Sequence, residues 1–314
     1  MNNYLAFWKT NKRRNLWQHP VWAAFQSAVH RKVFLAEAEG ASALLIKHNL
    51  TLGFCWLECP RGPLFKDEKS LLQVLMDIRK TAKREKAIFV RLSPFEQLDI
   101  GHLPAGRQGW KLDIAKHDHQ PQTSLILDLD QSEEDILKQM KPKGRYNIKV
   151  AEKHEVTVEP SLDVDTFHHL LSTTGFRDKF GIHPESYYRK MLQSMPKNAQ
   201  LLLAKCNGQV IAGGLFVYLD EWGIYYYGAS AETYRNVMAP YLIQWEAIKE
   251  AKKRGCKHYD FLGISPEGAK GHAWAGVTGF KQKFGGRTVS YPQAKEMVLR
   301  PFWYFIYQCY KRFR

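Results

Sequence analysis

The chain has 314 residues, 45% of them hydrophobic and 13% aromatic, with 46 Lys and Arg against 31 Asp and Glu. That is enough apolar material for two packed domains or one large one, and no run approaches the ~18 apolar residues of a membrane span. A net charge of +15 favours nucleic acid, anionic lipid or phosphorylated substrates, with plain solubility as the competing reading. The opening MNNYLAFWKTNKRRN lacks the apolar run of a signal peptide. Five scattered cysteines, 55, 59, 206, 256 and 309, fit reduced thiols in a cytoplasmic protein better than a disulfide frame.

PVWAAFQSAV (20–29) reads as a short helix, and 31–59 as two or three strands with a turn near Glu39-Gly40. EKSLLQVLMDIRKTAKREK (68–86) has apolar residues at 71, 72, 75, 78 and 82, which is helical spacing. AIFVRLSP (87–94) is a strand ended by proline. HDHQPQTS (117–124) is a polar connector and the expected boundary, giving domains at 1–117 and 118–292, with 293–314 packing back on the first. SLILDLD (124–130) is a strand. Ser132 caps the next helix, which Pro142 and Gly144 should break into two pieces. Segments 167–180 and 184–195 are helical. Strands follow over 199–230, with turns at Asn207-Gly208 and Asp220–Gly223. A helix over 239–255, opened by Pro240 and stopped by Gly255, leads to a strand at 257–264. The same order of elements occurs before 117 and after 160, so a duplicated α/β unit with mixed sheets is expected.

Strand, turn, long helix and strand over 224–264 resemble the core of GNAT-type N-acyltransferases. In acetyl-CoA enzymes small residues in that turn let backbone N–H groups approach the pyrophosphate. Here the turn is Arg235-Asn-Val-Met-Ala-Pro240, and proline removes a donor. An acyl donor other than CoA is therefore expected.

The run YYYGASAETYRNVMAPYLIQWEAIKEAKKRGCKHYDFLGI followed by GFKQKFGG resembles the Fem (FemABX) family of peptidoglycan aminoacyltransferases. WLECPRGP (56–63), QPQTSLILDL (120–129), MKPKGRYNIKVAEKHEV (140–156) and TGFRDKFGIHPESYY (174–188) agree in order and spacing. The resemblance implies two GNAT-like domains in tandem. It implies transfer of an amino acid from aminoacyl-tRNA to the stem-peptide amine of a UDP-linked or lipid-linked muropeptide precursor. No sustained heptad lies between 150 and 290, so the member is a compact one without a coiled-coil arm. Where Arg-x-Asp-Pro is expected, the chain has Arg91-Leu-Ser-Pro94.

An aminoacyl ester is already activated, so neither metal nor cofactor is required. The amine must lose a proton and the oxyanion must be stabilised. The resemblance places Lys281, after Phe280, as the oxyanion donor in GVTGFKQKFGGR; the competing reading is a surface lysine on a glycine-rich turn. If that segment is extended, Lys283 faces the other way. Arg177 matches an arginine that holds the precursor's diphosphate, against an ion pair with Asp178 or Glu185. Lys32 is a second candidate for the diphosphate. Tyr187 or Tyr188 offers a hydroxyl to sugar or phosphate. Of Tyr226 and Tyr227, strand alternation leaves one for the cleft and one for the core. Arg145, Tyr146 and Asn147 are either a packing device or a site. Asp260 is the candidate base, with His258 beside it. His168-His169, His117-x-His119 and Cys55/Cys59 lack the partners of a metal site. The tail RPFWYFIYQCYKRFR either packs on the first domain or meets an anionic membrane surface. Two rival functions remain: an acyltransferase using acyl-CoA or an acyl carrier on another amine, and a non-catalytic RNA- or membrane-binding protein on this scaffold.

Overall fold

The computed structural model describes residues 2–98, 111–269 and 271–312. The chain divides into two compact units: residues 1–122 with 291–314, and residues 123–290. The connector expected to begin the second domain stays with the first unit, because Ala294 N–H donates to Asp118 and Tyr291 N–H donates to the Gln122 carbonyl.

Unit 1 opens with α1 (Asn2–Thr10) and α2 (Pro20–Ala28). Its strands are β1 (Val33–Ala38), β2 (Ala41–Asn49), β3 (Cys55–Pro60) and the short β4 (Leu64–Phe65). The helix α3 (Glu68–Arg84) then crosses to β5 (Ala87–Ser93), followed by β6 (Asp113–Ile114). Asp67 starts α3 with a capping box: it accepts from Ser70 N–H while Ser70 Oγ accepts from Asp67 N–H.

Unit 2 runs β7 (Thr123–Asp128), α4 (Glu133–Gln139), α5 (Pro142–Lys153) and β8 (Thr157–Ser161). Then come α6 (Val164–Asp178), α7 (Glu185–Ser194), β9 (Ala199–Cys206), β10 (Gln209–Leu219) and β11 (Trp222–Ser230). It ends with α8 (Ala239–Lys253), β12 (His258–Gly263), α9 (Ala275–Lys281) and β13 (Arg287–Ser290). The chain returns to unit 1 as β14 (Lys295–Val298) and α10 (Pro301–Arg312).

The first sheet has the order β1-β2-β3-β5-β14-β6, with β4 on β2. The second has the order β13-β7-β12-β11-β10-β9-β8. Each is antiparallel except at one pair, β3 with β5 and β11 with β12. Each parallel pair is joined by a helix, α3 or α8, as a parallel connection requires. The two units are thus GNAT-like repeats in tandem. Among the described residues the longest helix is α3, with 17 residues, and none extends as a coiled-coil arm.

The cores follow from these crossovers. Leu71, Val74, Leu75 and Ile78 of α3 bury against Ala43, Leu45, Leu57 and Val90. Tyr241, Leu242, Trp245 and Ile248 of α8 bury with Phe216, Tyr259 and Phe261. The other face of the first sheet carries Trp56, Ile88 and Phe89, covered by Trp303, Tyr304 and Tyr307 of α10. That face also holds a polar cluster. Buried Glu58 takes His48 Nε2 at 2.9 Å and His119 Nδ1 at 2.7 Å on its two oxygens. Burial by itself raises the Glu58 carboxyl, but the hydrogen bonds from His119 and His48 outweigh it and hold the group well below the usual carboxylate range. In the sequence His119 has no carboxylate at ligand spacing. Glu58 is 61 positions away and reaches it only through the fold.

Candidate active site

Strands β11 and β12 pair only at Trp222↔His258, Gly223↔Tyr259 and Ile224↔Asp260. Beyond Ile224, β11 continues on β10, while β12 bends and pairs with β7 again at Gly263↔Ser124. The ladder between the two parallel strands therefore stops before their carboxyl ends. In α/β sheets ligands sit outside the carboxyl ends of strands.

Lys281 lies at this parting. It is the last residue of α9, and its side chain is buried, with 7% of the residue exposed. Its Nζ donates to the Gly263 carbonyl at 2.7 Å and stands 5.8 Å from the centre of the Tyr225 ring. Gly263 lies beyond the last β11–β12 pair, Ile224↔Asp260, and follows a register break at which Leu262 takes φ +56°. Buried Asp260 holds that break, its Oδ1 accepting from Leu262 N–H at 2.7 Å. Burial pushes the Lys281 ammonium down to about 8, and the Asp260 charge opposes the shift. One of the three Nζ protons is committed to Gly263.

The segment 276–287 is not extended, and Lys281 is not a surface lysine on a glycine-rich turn. The segment is helical to Lys281 and continues as a 3-10 turn over Gln282–Phe284. Phe280 and Phe284 are four residues apart, so both meet Tyr241, at 4.9 Å and 5.7 Å between ring centres. This packing anchors the helix despite Gly276 and Gly279. Only Gly285 and Gly286 use left-handed φ, and a Cβ on Gly286 would stand 2.6 Å from the Ile126 carbonyl oxygen. Lys283 does not face opposite Lys281 as on a strand; its Nζ donates to the Gly279 carbonyl at 3.2 Å.

The KPKGRYN segment supports this helix from behind. Lys141 N–H donates to the Lys283 carbonyl at 3.0 Å, and a Cβ on Gly144 would come within 2.5 Å of that same oxygen. Arg145 Nη1 donates to the last carbonyls of α4, including those of Leu137 at 3.3 Å and Lys138 at 3.2 Å. Asn147 is buried, whereas Tyr146 is exposed.

A second group lies farther along β11. Arg177 donates from Nη1 to the Ser230 carbonyl at 3.2 Å. Its fork also grips Asp178, with Nε to Oδ1 and Nη2 to Oδ2 both 2.8 Å, the first of the two ion pairs considered from sequence. Glu185, the other, pairs with Arg189. Tyr187 and Tyr188 are both buried. Tyr227 Oη donates to Tyr187 Oη at 3.5 Å, and Tyr188 Oη accepts from His183 N–H at 3.1 Å. The His183 ring stacks on Tyr187 at 3.9 Å.

The strand alternation expected of Tyr226 and Tyr227 does not hold. Leu215 opposes Tyr227 and Phe216 opposes Tyr225, so Tyr226 is the extra residue of a bulge. Both rings are half-buried, 5.1 Å apart. The strand thus carries Tyr225 at Lys281 and Ser230 at Arg177, five residues or about 16 Å apart. Lys32 belongs to unit 1, exposed just before β1, where its charge acts on Glu85. Sequence reading missed Tyr225, Gly263 and His183. The tyrosine run and the HPESYY segment were visible signals, but the bulges that aim them were not.

At the mouth of α8, Met238 takes φ +58° and Pro240 occupies the first turn. No side chain caps this end, and proline offers no N–H. Among the described residues no three His, Cys, Asp or Glu side chains converge as a metal site.

The family model described as "FemAB family" matches residues 1–105, 100–209 and 207–312. A lipid II:glycine glycyltransferase of Staphylococcus haemolyticus is 24% identical over 364 residues, spanning 89% of this chain and 87% of its own. One from Staphylococcus aureus is 22% identical, with 89% and 87% covered. Among solved structures, that of FemX superposes with a TM-score of 0.84 at 19% identity, covering 97% of each chain. The L-PGS of Bacillus licheniformis gives 0.55 at 13%, covering 95% of this chain and 91% of its own.

Proposed function

The chain belongs to the FemAB family, and from that premise we infer that it is an aminoacyltransferase of peptidoglycan synthesis. It extends the peptide of a muropeptide precursor by one amide bond, using an aminoacyl ester of tRNA as donor. The stem-peptide amine attacks the ester carbonyl. A tetrahedral oxyanion forms, the amine nitrogen loses a proton, and the ribose hydroxyl leaves carrying one.

The observation that carries this reading is the placement of Lys281. It is a buried cation with one proton fixed on Gly263 and two left to donate, at the parting of two parallel strands. A preorganised donor of this kind stabilises a transition-state oxyanion by about 2.7–4 kcal/mol. Asp260, which holds the strand break under Gly263, is assigned to proton removal from the amine. Arg177 is assigned to the acceptor's diphosphate, for which its fork is suited. Lys32 keeps its assignment as a phosphate contact. Tyr187, Tyr226 and Tyr227 are assigned to the acceptor path between Arg177 and Lys281, with the fully buried Tyr188 packed behind them, and Phe280 to the donor side. The 16 Å or so along β11 gives room for the sugar and stem peptide between diphosphate and amine.

Transfer RNA is favoured over CoA by Pro240 and by the cationic outer face of α5. There Lys143, Tyr146 and Lys149 are exposed beside the backbone that holds Lys283. The staphylococcal relatives are named for lipid II, so the acceptor here is assigned as lipid-linked, which brings the enzyme to the anionic inner face of the membrane. The test is a transfer assay with charged tRNA and both precursor forms, read by product mass. Amide formation that proceeds equally with acyl-CoA, or no amide with any charged tRNA, would refute the assignment.

A further inference from the structure

Strands β10 and β11 carry two cross-strand pairs close together, Phe216 with Tyr225 and Gly214 with Gly228. The two aromatic rings stack at 5.6 Å and 26°. Each ring lies along its own strand over a glycine. A Cβ on Gly214 would stand 2.6 Å from Phe216 Cζ, and one on Gly228 would overlap the Tyr225 hydroxyl. Gly214 is two residues from Phe216, the ordinary same-face spacing. Gly228 is three residues from Tyr225, and only the extra residue at Tyr226 brings the two onto one face. Bulge and glycine together fix where the Tyr225 hydroxyl sits.

Tyr225 is also the first residue of β11 beyond its last pair with β12, Ile224↔Asp260. Its ring centre is 5.8 Å from Lys281 Nζ. Tyr218, Tyr227 and Tyr259 hydrogen-bond through their hydroxyls to Ala247, Tyr187 and Gln244. The Tyr225 hydroxyl meets no such partner among the described residues, and burial alone pushes its phenol up to about 12. A hydroxyl that the protein leaves without a partner beside a buried cation is available to a substrate.

The neighbouring charge selects the substrate atom. A phenol that keeps its proton up to about 12 donates rather than accepts one. A second cation is disfavoured next to Lys281, so the donor's own ammonium group does not belong there. An oxygen that gains negative charge does. Aminoacyl transfer creates two such oxygens on one carbon, and a group that binds one stands beside the other. Lys281 is committed to the carbonyl oxygen. The ribose oxygen that leaves still needs a proton.

We propose that Tyr225 is the general acid of the transfer, donating its phenolic proton to the leaving ribose oxygen. The inference rests on the reading that the donor is an aminoacyl ester. As the tetrahedral intermediate collapses, the C–O bond to the ribose breaks and its electron pair stays on the ribose oxygen. That oxygen takes the Tyr225 proton and leaves as a hydroxyl. Asp260 has taken the proton of the attacking amine. Asp260 then releases it to water and the phenolate regains one from water, so both residues are reset and nothing else is consumed. A departing alkoxide is basic enough to take the proton of such a phenol, and a neutral amine is not.

The test changes the leaving atom. Transfer from charged tRNA is compared with transfer from the same tRNA carrying sulfur in place of the ester-bridging ribose oxygen. A thiolate leaves without a proton, so the need for an acid disappears while the need for Lys281 remains. Tyr225→Phe keeps the ring and its stack on Phe216. It should lower kcat for the oxygen ester at least about a hundredfold with KM little changed, and the deficit should vanish with the thioester. Gly228→Ala displaces the hydroxyl without removing it and should reproduce this pattern. Lys281→Ala should slow both donors. Thermal unfolding checks that each variant is folded. The proposal is overturned by a parental kcat of Tyr225→Phe on the oxygen ester. It is equally overturned by the same deficit on both donors, which would make the hydroxyl a second oxyanion donor or a packing group. If the parent transfers from no charged tRNA, the aminoacyltransferase reading falls and this inference with it. Parental transfer that Tyr225→Phe leaves intact sinks this inference alone.

Discussion

Lys281 and Gly263 are 18 positions apart in sequence, and the lysine Nζ lies 2.7 Å from the glycine carbonyl oxygen. One proton of a buried ammonium is thereby spent on orientation, at the place where the two parallel strands have parted. Removing the side chain should leave binding largely intact and slow the chemistry. Lys281→Ala is expected to lower kcat about a hundred- to thousandfold, with KM for either substrate little changed. Steady-state kinetics on both substrates check this; a large KM effect with unaltered kcat would reassign the lysine to binding.

The same burial sets a pH dependence. Lys281 loses its proton near 8 in the folded protein, below an unfolded lysine at about 10.4. If the ammonium is the oxyanion donor, kcat should fall as pH rises through about 8. Stability should move the other way. Between those two values the unfolded chain binds more protons, so unfolding free energy rises with pH across that window. Lys281→Met should abolish both the alkaline loss of rate and the alkaline gain in stability. Rate profiles and urea titrations over the window decide it.

Arg177 is held by Asp178 and by the Ser230 carbonyl before any substrate arrives. Arg177→Ala should raise KM for a diphosphate-bearing acceptor about ten- to a hundredfold, the range of one or two charge-assisted hydrogen bonds. Arg177→Lys should not restore it, since a point charge lacks the fork. An acceptor peptide without diphosphate should be used equally by all three proteins. Discrimination among the variants by that peptide would count against phosphate binding.

Affinity for tRNA should fall steeply with salt, with a log–log slope set by the number of phosphates neutralised. Lys143→Ala and Lys149→Ala, on the exposed side of α5, should each shallow that slope by about one. Filter binding over a salt series measures it. Unaltered slopes would move the RNA footprint to another face.

Glu58 carries a stability prediction independent of catalysis. Its carboxylate is buried between two imidazoles and lies well below the usual range, because the hydrogen bonds from His119 and His48 outweigh burial. Its contribution is present above the unfolded value near 4.3 and is lost as pH falls below it. Glu58→Ala should destabilise unit 1 by about 1–3 kcal/mol, as expected when the largely buried His48 imidazole is left without its hydrogen-bond partner. Thermal unfolding at neutral pH reads this as a lowered Tm, with catalytic residues untouched.

Local chemistry was written plainly in the chain. The Asp67 cap and the apolar spacing through Ile78 specify α3, and Asn207-Gly208, both at positive φ, specify the turn between β9 and β10. Pro142 divides α4 from α5 because a proline there cannot continue the preceding helix. The repeated element order, the charge and the motif spacing were equally legible, and with them the family.

What the sequence alone could not determine depends on departures from regular periodicity. Glycines in 276–287 suggested a loop, but contacts of Phe280 and Phe284 with Tyr241 outweigh their weak helix propensity and make a helix. Alternation assigned Tyr226 and Tyr227 to opposite faces, and one extra residue in the strand undid it. The break at Leu262, beside the Gly263 carbonyl that Lys281 takes, has no local signature; it exists because β7 pairs again with β12 one residue late. Composition, caps and spacing act between near neighbours and so determined the elements and the tandem repeat, while the class of reaction was implied by the resemblance of the motifs to a known family. The aim of each functional side chain depends on bulges and contacts between residues far apart in sequence, and only the tertiary structure decided it.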